Sequence, residues 1–179
     1  MIQKVGNFFL VGLMGAGKTT VGRHLASRLG KIFHDSDHEI MLRLGVPVTT
    51  IFEIEGEDKF RERESRVLMD LTRKDNIVLA TGGGIILKPE NRIMLQENGI
   101  VIYLQTNVDT ILHRTRYDRS RPLLQVSDPR SKIQQLLEQR DPLYSQIADI
   151  IVDANEFFLP NLIKKTIKAI DLYQTDCMK

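Results

Sequence analysis

The sequence predicts an α/β protein, a five-stranded parallel sheet with helices on both faces. Three observations predict it. Short runs rich in Val, Ile, Leu and Phe recur at 7–11, 31–34, 76–80, 100–104 and 149–152, as expected of strands buried on both faces. Longer segments with apolar residues at helical spacing fall between them. That alternation joins parallel strands through crossover helices. The length of 179 residues supplies one sizeable core and is short for two ordinary domains.

The first run, Asn7-Phe8-Phe9-Leu10-Val11, leads into Gly12-Leu13-Met14-Gly15-Ala16-Gly17-Lys18-Thr19. Those eight residues fit G-x-x-x-x-G-K-[ST]. Val21, Leu25 and Leu29 follow at helical spacing within 17–29. A strand, a glycine-rich loop and a helix in that order make a nucleotide phosphate cradle. Gly12, Gly15 and Gly17, with Ala16 between the last two, let the backbone curl and aim N–H groups inward. Those groups and the helix N-terminus attract an anion. Lys18 brings a mobile ammonium to the β- and γ-phosphates, and Thr19 offers a hydroxyl to Mg²⁺. Thr20 is a first-turn residue with a minor phosphate contact. The alternative is a turn that only caps a helix.

The second strand closes on Asp35-Ser36-Asp37. Two carboxylates two apart on an extended end point to the same side. One could hold Mg²⁺ through water and the other could face an acceptor hydroxyl. An Asx turn, or a cap for a helix over 38–44, is the alternative. Residues 35–64 are too long for a simple crossover and are predicted as an insertion at the ligand edge. A helix is expected at 58–73, with Phe60, Val67, Leu68 and Leu71 on one face. Arg61 lies in it, and spacing alone favours a solvated face of Glu57–Arg61 and Glu62–Arg66 pairs. The third strand runs into Thr81-Gly82-Gly83-Gly84. A turn needs one glycine; three bring bare main chain against a ligand.

A helix over 107–116 follows Thr106, with Asp109 three residues on as a weak capping box. Arg114, Arg116, Arg119 and Arg121 place four guanidiniums in eight residues. Residues 117–127 are polar, contain Pro122 and lack an apolar period. They read as a lid closing on a triphosphate, since Arg pairs phosphate oxygens bidentately. An RNA-binding arm is the alternative, though only Tyr117 interleaves. Asp128-Pro129 suits an N-cap and first turn for 130–140, where Ile133, Leu136 and Leu137 share a face. Arg140 could be a cation at that helix's C-terminus. Residues 159–173 form the last helix, through Leu162, Ile163, Ile167 and Ile170. Ligands bind at the carboxyl ends of such strands, so 12–19, 35–37, 81–84 and the residues just after 104 should share one edge.

Composition narrows the function. Hydrophobic residues make up 42% and charged residues 27%, with a net charge of +2, so there is no bulk electrostatic case for nucleic acid or membrane. No run reaches the ~18 apolar residues of a membrane span. Lys4 and the stretch Phe8 to Gly17 resemble a secretory signal, but that stretch runs straight into Lys18. The single cysteine, Cys177, forms no internal disulfide, and a reducing, cytoplasmic location is expected. His24, His34, His38 and His113 lack metal-ligand spacing. No D-x-x-G or N-K-x-D segment occurs, which argues against a GTP-driven switch.

One combination is far more specific than the phosphate loop. Asp35-Ser-Asp37, Phe60-Arg61-x-x-Glu64, Gly82-Gly-Gly84, Arg121-Pro-Leu-Leu124 and Arg140-x-Pro-Leu-Tyr144 follow the loop in one order. The set resembles the shikimate kinases over nearly the whole chain. The resemblance implies one domain over 1–179 with a three-layer α/β/α P-loop NTPase fold like that of the nucleoside monophosphate kinases. It implies a substrate-binding insertion at about 35–64 and a lid at about 117–127. It also implies transfer of the ATP γ-phosphoryl to the 3-hydroxyl of shikimate, in chorismate and aromatic amino-acid biosynthesis, by a monomer. By position, Arg61 and Arg140 would grip the shikimate carboxylate and Asp37 its hydroxyls, with Gly82, Gly83 and Gly84 against the substrate. Lys18 and Arg121 would contact phosphates and Arg114 the adenine side. Thr19 and Asp35 would serve Mg²⁺. Lys18, Asp37 and Arg121 are the implied catalytic set. Tyr117-Asp118-Arg119-Ser120 matches no fixed family pattern, and the adenine-contact segment near 152–156 yields no assigned residue. The rivals are a gluconate or nucleoside monophosphate kinase, and a silent nucleotide-binding protein.

Overall fold

The three central strands are short and covered by protein along almost their whole length, while the two edge strands are partly exposed. The computed structural model describes residues 6–118 and 120–177; Lys4 and Arg119 lie outside the described residues, as does the side chain of Cys177. The strands are β1 (Phe8–Val11), β2 (Ile32–Asp35), β3 (Ile77–Ala80), β4 (Ile100–Gln105) and β5 (Ile150–Asp153). They form one parallel sheet in the order β2-β3-β1-β4-β5. The five expected strands are therefore present, each within a residue or two of its expected limits. The helices are α1 (Lys18–Leu29), α2 (Ser36–Leu44), α3 (Val48–Thr72), α4 (Pro89–Asn98), α5 (Val108–Thr115), α6 (Pro129–Ile147) and α7 (Leu159–Cys177). Short 3₁₀ turns occupy Ile85–Leu87 and Pro122–Leu124.

Side-chain alternation along the strands divides the core into two layers. Phe9, Val11, Leu79, Val101 and Tyr103 pack with Leu68, Leu71, Leu95, Tyr144 and Ile147 of α3, α4 and α6. Phe8, Leu10, Val78, Ile102 and Leu104 pack with Val21, Leu25, Leu162 and Ile170 of α1 and α7. The register sets Leu10 beside both Ala80 and Ile102, and Asp35 beside Ala80. Gly12, Asp35 and Thr81 consequently leave the sheet at one edge. β1 lies in the middle, so its following loop opens into the crevice where connections turn to opposite sides, the usual ligand position in such sheets.

Several expectations change in detail. Asp35 and Asp37 are not two residues of one extended end. Asp35 ends β2 and caps α2, its Oδ1 accepting from the N–H groups of Asp37 (3.0 Å) and His38 (3.1 Å). Asp37 already belongs to the helix, so the chain passes from strand to helix without a connecting residue. Residues 35–64 fold as α2 and the first part of α3. That helix breaks at Gly56, where φ 82° and ψ 171° are open to glycine alone. The cap of α5 is Asn107, whose Oδ1 accepts from Thr110 N at 2.8 Å; Thr106 does not fill that role. Asp128 caps α6 as expected, but the helix continues past Arg140 and through Pro142 to Ile147. Burial of Tyr144 and Ile147 in the core holds the last turns despite the N–H that proline removes. Among the described residues no helix is long and apolar enough to cross a membrane.

Candidate active site

The loop between β1 and α1 curls through positive φ at Gly12, Gly15 and Gly17. Lys18 folds back over it, donating to the carbonyls of Gly12 (2.7 Å) and Leu13 (2.9 Å). Burial, and then the nearby Arg121, bring its ammonium down to a pKa of about 8, against the opposing pull of Asp37 and Asp35. Thr19 donates its hydroxyl to Asp35 Oδ2 at 2.6 Å. With Asp35 Oδ1 engaged by the α2 backbone, this second oxygen and the Thr19 oxygen form a small hard-oxygen pair beside the phosphate loop. Among the described residues no group of three His, Cys, Asp or Glu could hold a metal ion. The oxygen pair still fits Mg²⁺, which keeps several waters and takes ligands from phosphate rather than from an all-protein cage.

A second set of charges faces the loop. Arg61 is 9% exposed. It pairs with Glu57 at 2.9 Å and with the wholly buried Glu64 at 2.8 Å. The expected Glu57–Arg61 pair therefore exists, but it holds a buried arginine rather than a solvated one. Glu64 is pushed up to about 7 by burial and by Asp37, with Arg61 opposing. Burial first, and Asp35 second, also raise Asp37, while Lys18, Arg121 and Arg61 pull it down. Arg140 is 2% exposed. Its Nε and Nη1 lie buried without a hydrogen-bond partner, as do Asp37 Oδ1 and Glu64 Oε1. Each such group costs about 1–3 kcal/mol unless a ligand or water satisfies it.

The triple glycine threads between these charges. A Cβ at Gly82 would overlap Glu64 Oε1 and Asp37 Oδ1, and one at Gly84 would overlap the Arg61 guanidinium. Gly82 N donates to Ser36 Oγ at 2.8 Å, and the Tyr144 hydroxyl donates to the Gly83 carbonyl. Gly82 and Gly84 thus permit the close approach, whereas a Cβ at Gly83 would find ordinary contacts.

On the far side of the phosphate loop, Arg114 donates to the carbonyls of Gly15 (3.1 Å) and Ala16 (3.3 Å). It also reaches those of Ala154 (2.9 Å) and Glu156 (2.6 Å). It ties the loop to the segment after β5. Arg121 pairs with Asp118 at 3.0 Å.

One cavity of about 570 Å³ brings these groups together. Its wall includes Gly15, Gly17, Lys18, Thr19, Thr20, Asp35, Asp37, Arg61, Gly82, Gly83, Gly84, Arg114, Arg121 and Arg140. Gly12 and Ala16 are buried in the loop behind it. The cavity thus offers a phosphate-binding end and an end with carboxylates and two buried guanidiniums. Sequence reasoning assigned no role to Glu64, Ser36 or Tyr144. Glu64 carried a usable signal, an acid three residues from an arginine on one helix. Ser36 and Tyr144 carried only their places in the family's motifs, because their roles depend on a glycine loop far away in sequence.

Comparison with known proteins points the same way. A family model described as shikimate kinase matches residues 14–171. A shikimate kinase of Chromobacterium violaceum is 58% identical over 156 residues, 87% of this chain and 85% of that relative. One of Dechloromonas aromatica is 54% identical over 88% of this chain and 86% of its own length. A solved shikimate kinase from Acinetobacter baumannii, in complex with shikimate, superposes with a TM-score of 0.90 at 50% identity, covering 92% of each chain. With the phosphate loop, the triple glycine and both buried arginines on one cavity, the chain belongs to the shikimate kinase family, ATP-dependent kinases that act on a hydroxyl.

Proposed function

We propose that this chain, as one kinase domain over 1–179, moves the γ-phosphoryl of MgATP to the 3-hydroxyl of shikimate, giving shikimate 3-phosphate and ADP. The observation that carries the acceptor assignment is the set of buried, unpartnered atoms on Arg140, Asp37 and Glu64. Two donors and two acceptors walled in beside a phosphate loop suit a small hydroxylated carboxylate. Arg61 and Arg140 grip its carboxylate, since planar guanidinium forks match a planar carboxylate. Gly82, Gly83 and Gly84 form the floor under its ring.

Asp37 orients the acceptor hydroxyl and takes its proton late in the transfer. A carboxylate is a weak base toward an alcohol, so an alkoxide is not formed first. Phosphoryl transfer needs chiefly positioning and neutralised charge. Lys18 and Arg121 supply positive charge at the phosphates, and the Gly12–Thr20 loop, Ala16 included, supplies N–H donors. Arg114 borders the adenine. Thr19 directly, and Asp35 through water, would hold Mg²⁺, which would supply positive charge to neutralise the phosphates. Residues 35–64 cover the acceptor and 117–127 the nucleotide. The near-balanced charge and lone cysteine support a cytoplasmic protein with no nucleic-acid or membrane partner, and the family resemblance supports a monomer.

The test is ADP release from MgATP with shikimate, gluconate, AMP or CMP as acceptor. Release with shikimate alone is expected. Strong release with gluconate or a nucleotide overturns the Arg61 and Arg140 assignment. ATP binding without release on any acceptor favours a silent binder.

A further inference from the structure

The break in α3 leaves a problem of placement. At Gly56 the backbone abandons helical geometry, so regular helix geometry no longer fixes how residues 48–55 sit relative to residues 57–72. The two halves nonetheless build one wall of the cavity. Phe52 comes from the first, and Phe60, Arg61 and Glu64 come from the second. Side chains must therefore set their relation.

We propose that Glu55 and Arg63 are positioning residues for the acceptor site, their ion pair bridging the break and holding Phe52 against the Arg61 guanidinium. This rests on the reading of Arg61 as a carboxylate ligand. Arg63 donates through Nε to Glu55 Oε2 at 2.7 Å and through Nη2 to Glu55 Oε1 at 2.6 Å. Two parallel bonds fix orientation as well as distance. The pair spans eight residues. On a continuous helix those positions lie about 12 Å apart along the axis, well past the three- and four-residue spacings at which helical pairs meet. The contact exists because the helix is broken.

What it holds is visible alongside. The Phe52 and Phe60 rings meet across the break with centroids 4.7 Å apart. Arg61 Cζ lies 5.9 Å from the Phe52 ring centre and 5.2 Å from that of Phe60, within cation–π range. Arg61 is thus gripped by Glu57 and Glu64 through its nitrogens and flanked by two rings. One of those rings is carried by the segment that Glu55 anchors. Both clamp residues lie off the cavity wall, so their influence on a substrate passes through Phe52 and Arg61. The Arg63 and Glu55 side chains are 37% and 28% exposed, respectively. Partly exposed pairs contribute little to global stability, which leaves local placement as the main role.

The experiment compares Arg63→Gln, Glu55→Gln and the reciprocal double variant Glu55→Arg/Arg63→Glu with the parent and with Arg61→Ala. For each it measures kcat, the KM for shikimate, the KM for MgATP and the thermal midpoint. The single clamp variants should raise the shikimate KM about three- to tenfold, with kcat and the MgATP KM within about twofold, and the double variant should recover most of the loss. An unchanged shikimate KM in both single variants overturns the clamp, as does a rise in both KM values together with a lower midpoint. If Arg61→Ala raises the shikimate KM while the clamp variants do not, the clamp alone is wrong. If Arg61→Ala also leaves it unchanged, the carboxylate reading of Arg61 falls with it.

Discussion

At Asp37 two effects oppose one another. Burial and the neighbouring Asp35 favour the neutral acid, while Lys18, Arg121 and Arg61 favour the carboxylate. The upward direction makes Asp37 a better proton acceptor than an exposed aspartate without making it a base strong enough to ionise an alcohol. Its contribution should therefore appear in turnover. Asp37→Asn keeps the size and removes the proton acceptor, so kcat should fall about 10²- to 10⁴-fold, with a much smaller rise in the shikimate KM. Near-normal turnover in that variant excludes the role. Arg61 presents the opposite case, because it is a binding group already held by two acids. Arg61→Ala should raise the shikimate KM about ten- to a hundredfold and leave MgATP binding alone. It also strips Glu64 of its partner inside the protein, so the thermal midpoint should drop, as when one member of a buried pair is deleted. A variant with an unchanged midpoint and unchanged shikimate affinity would leave Arg61 no part in binding or in stability.

The glycine turn after β3 shows how an element acquires function from its neighbours. Gly84 has φ −94° and ψ 0°, a conformation that alanine adopts without strain. Any cost of Gly84→Ala thus comes from the space that Arg61 occupies. The prediction is a folded protein whose shikimate KM rises several-fold while its MgATP KM does not; parallel titrations of the two substrates decide it. Unaffected shikimate kinetics would show that Arg61 moves aside freely and that the close approach has no functional weight. This close approach was partly legible in the sequence, because three successive glycines exceed the needs of a turn. Other features were hidden for identifiable reasons. α2 appears in the sequence only as the alternative of a capped helix over 38–44, because Asp35 serves as both the last strand residue and the cap, leaving no loop to mark the boundary. α4 has few buried positions, among them Asn91 and Leu95, too few to give a periodic signal. The sequence pattern ends α6 at 140 because Pro142 is a strong local stop, which core packing of Tyr144 and Ile147 overrides. The five strands and the phosphate loop, by contrast, are set by continuous apolar runs and by spacing, which survive without tertiary context.

Across the whole molecule, charge is nearly balanced at +2, yet Lys18, Arg61, Arg114, Arg121 and Arg140 line a single cavity with Asp35, Asp37 and Glu64. Gathering cations at one edge suits anionic ligands, while burial, and then the neighbouring Arg121, leave the Lys18 proton held less tightly than in water. Its pKa of about 8, against an ordinary 10.5, has two consequences of opposite sign. Between about pH 8 and 10.5 the unfolded chain keeps the Lys18 proton and the folded protein does not. This group therefore makes the ligand-free fold more stable as pH rises through that window. Nucleotide binding runs the other way. The triphosphate requires the ammonium, so above pH 8 the protein must take up a proton to bind MgATP, which is itself fully ionised there. Affinity should be flat below about pH 8 and then weaken about tenfold per unit. Titration calorimetry in buffers of different ionisation enthalpy reads this directly. Proton uptake should approach one per MgATP near pH 9 and be small near pH 7. Equal uptake at both values, or none at pH 9, would mean that Lys18 keeps its proton in the ligand-free site and that the neighbouring carboxylates outweigh burial.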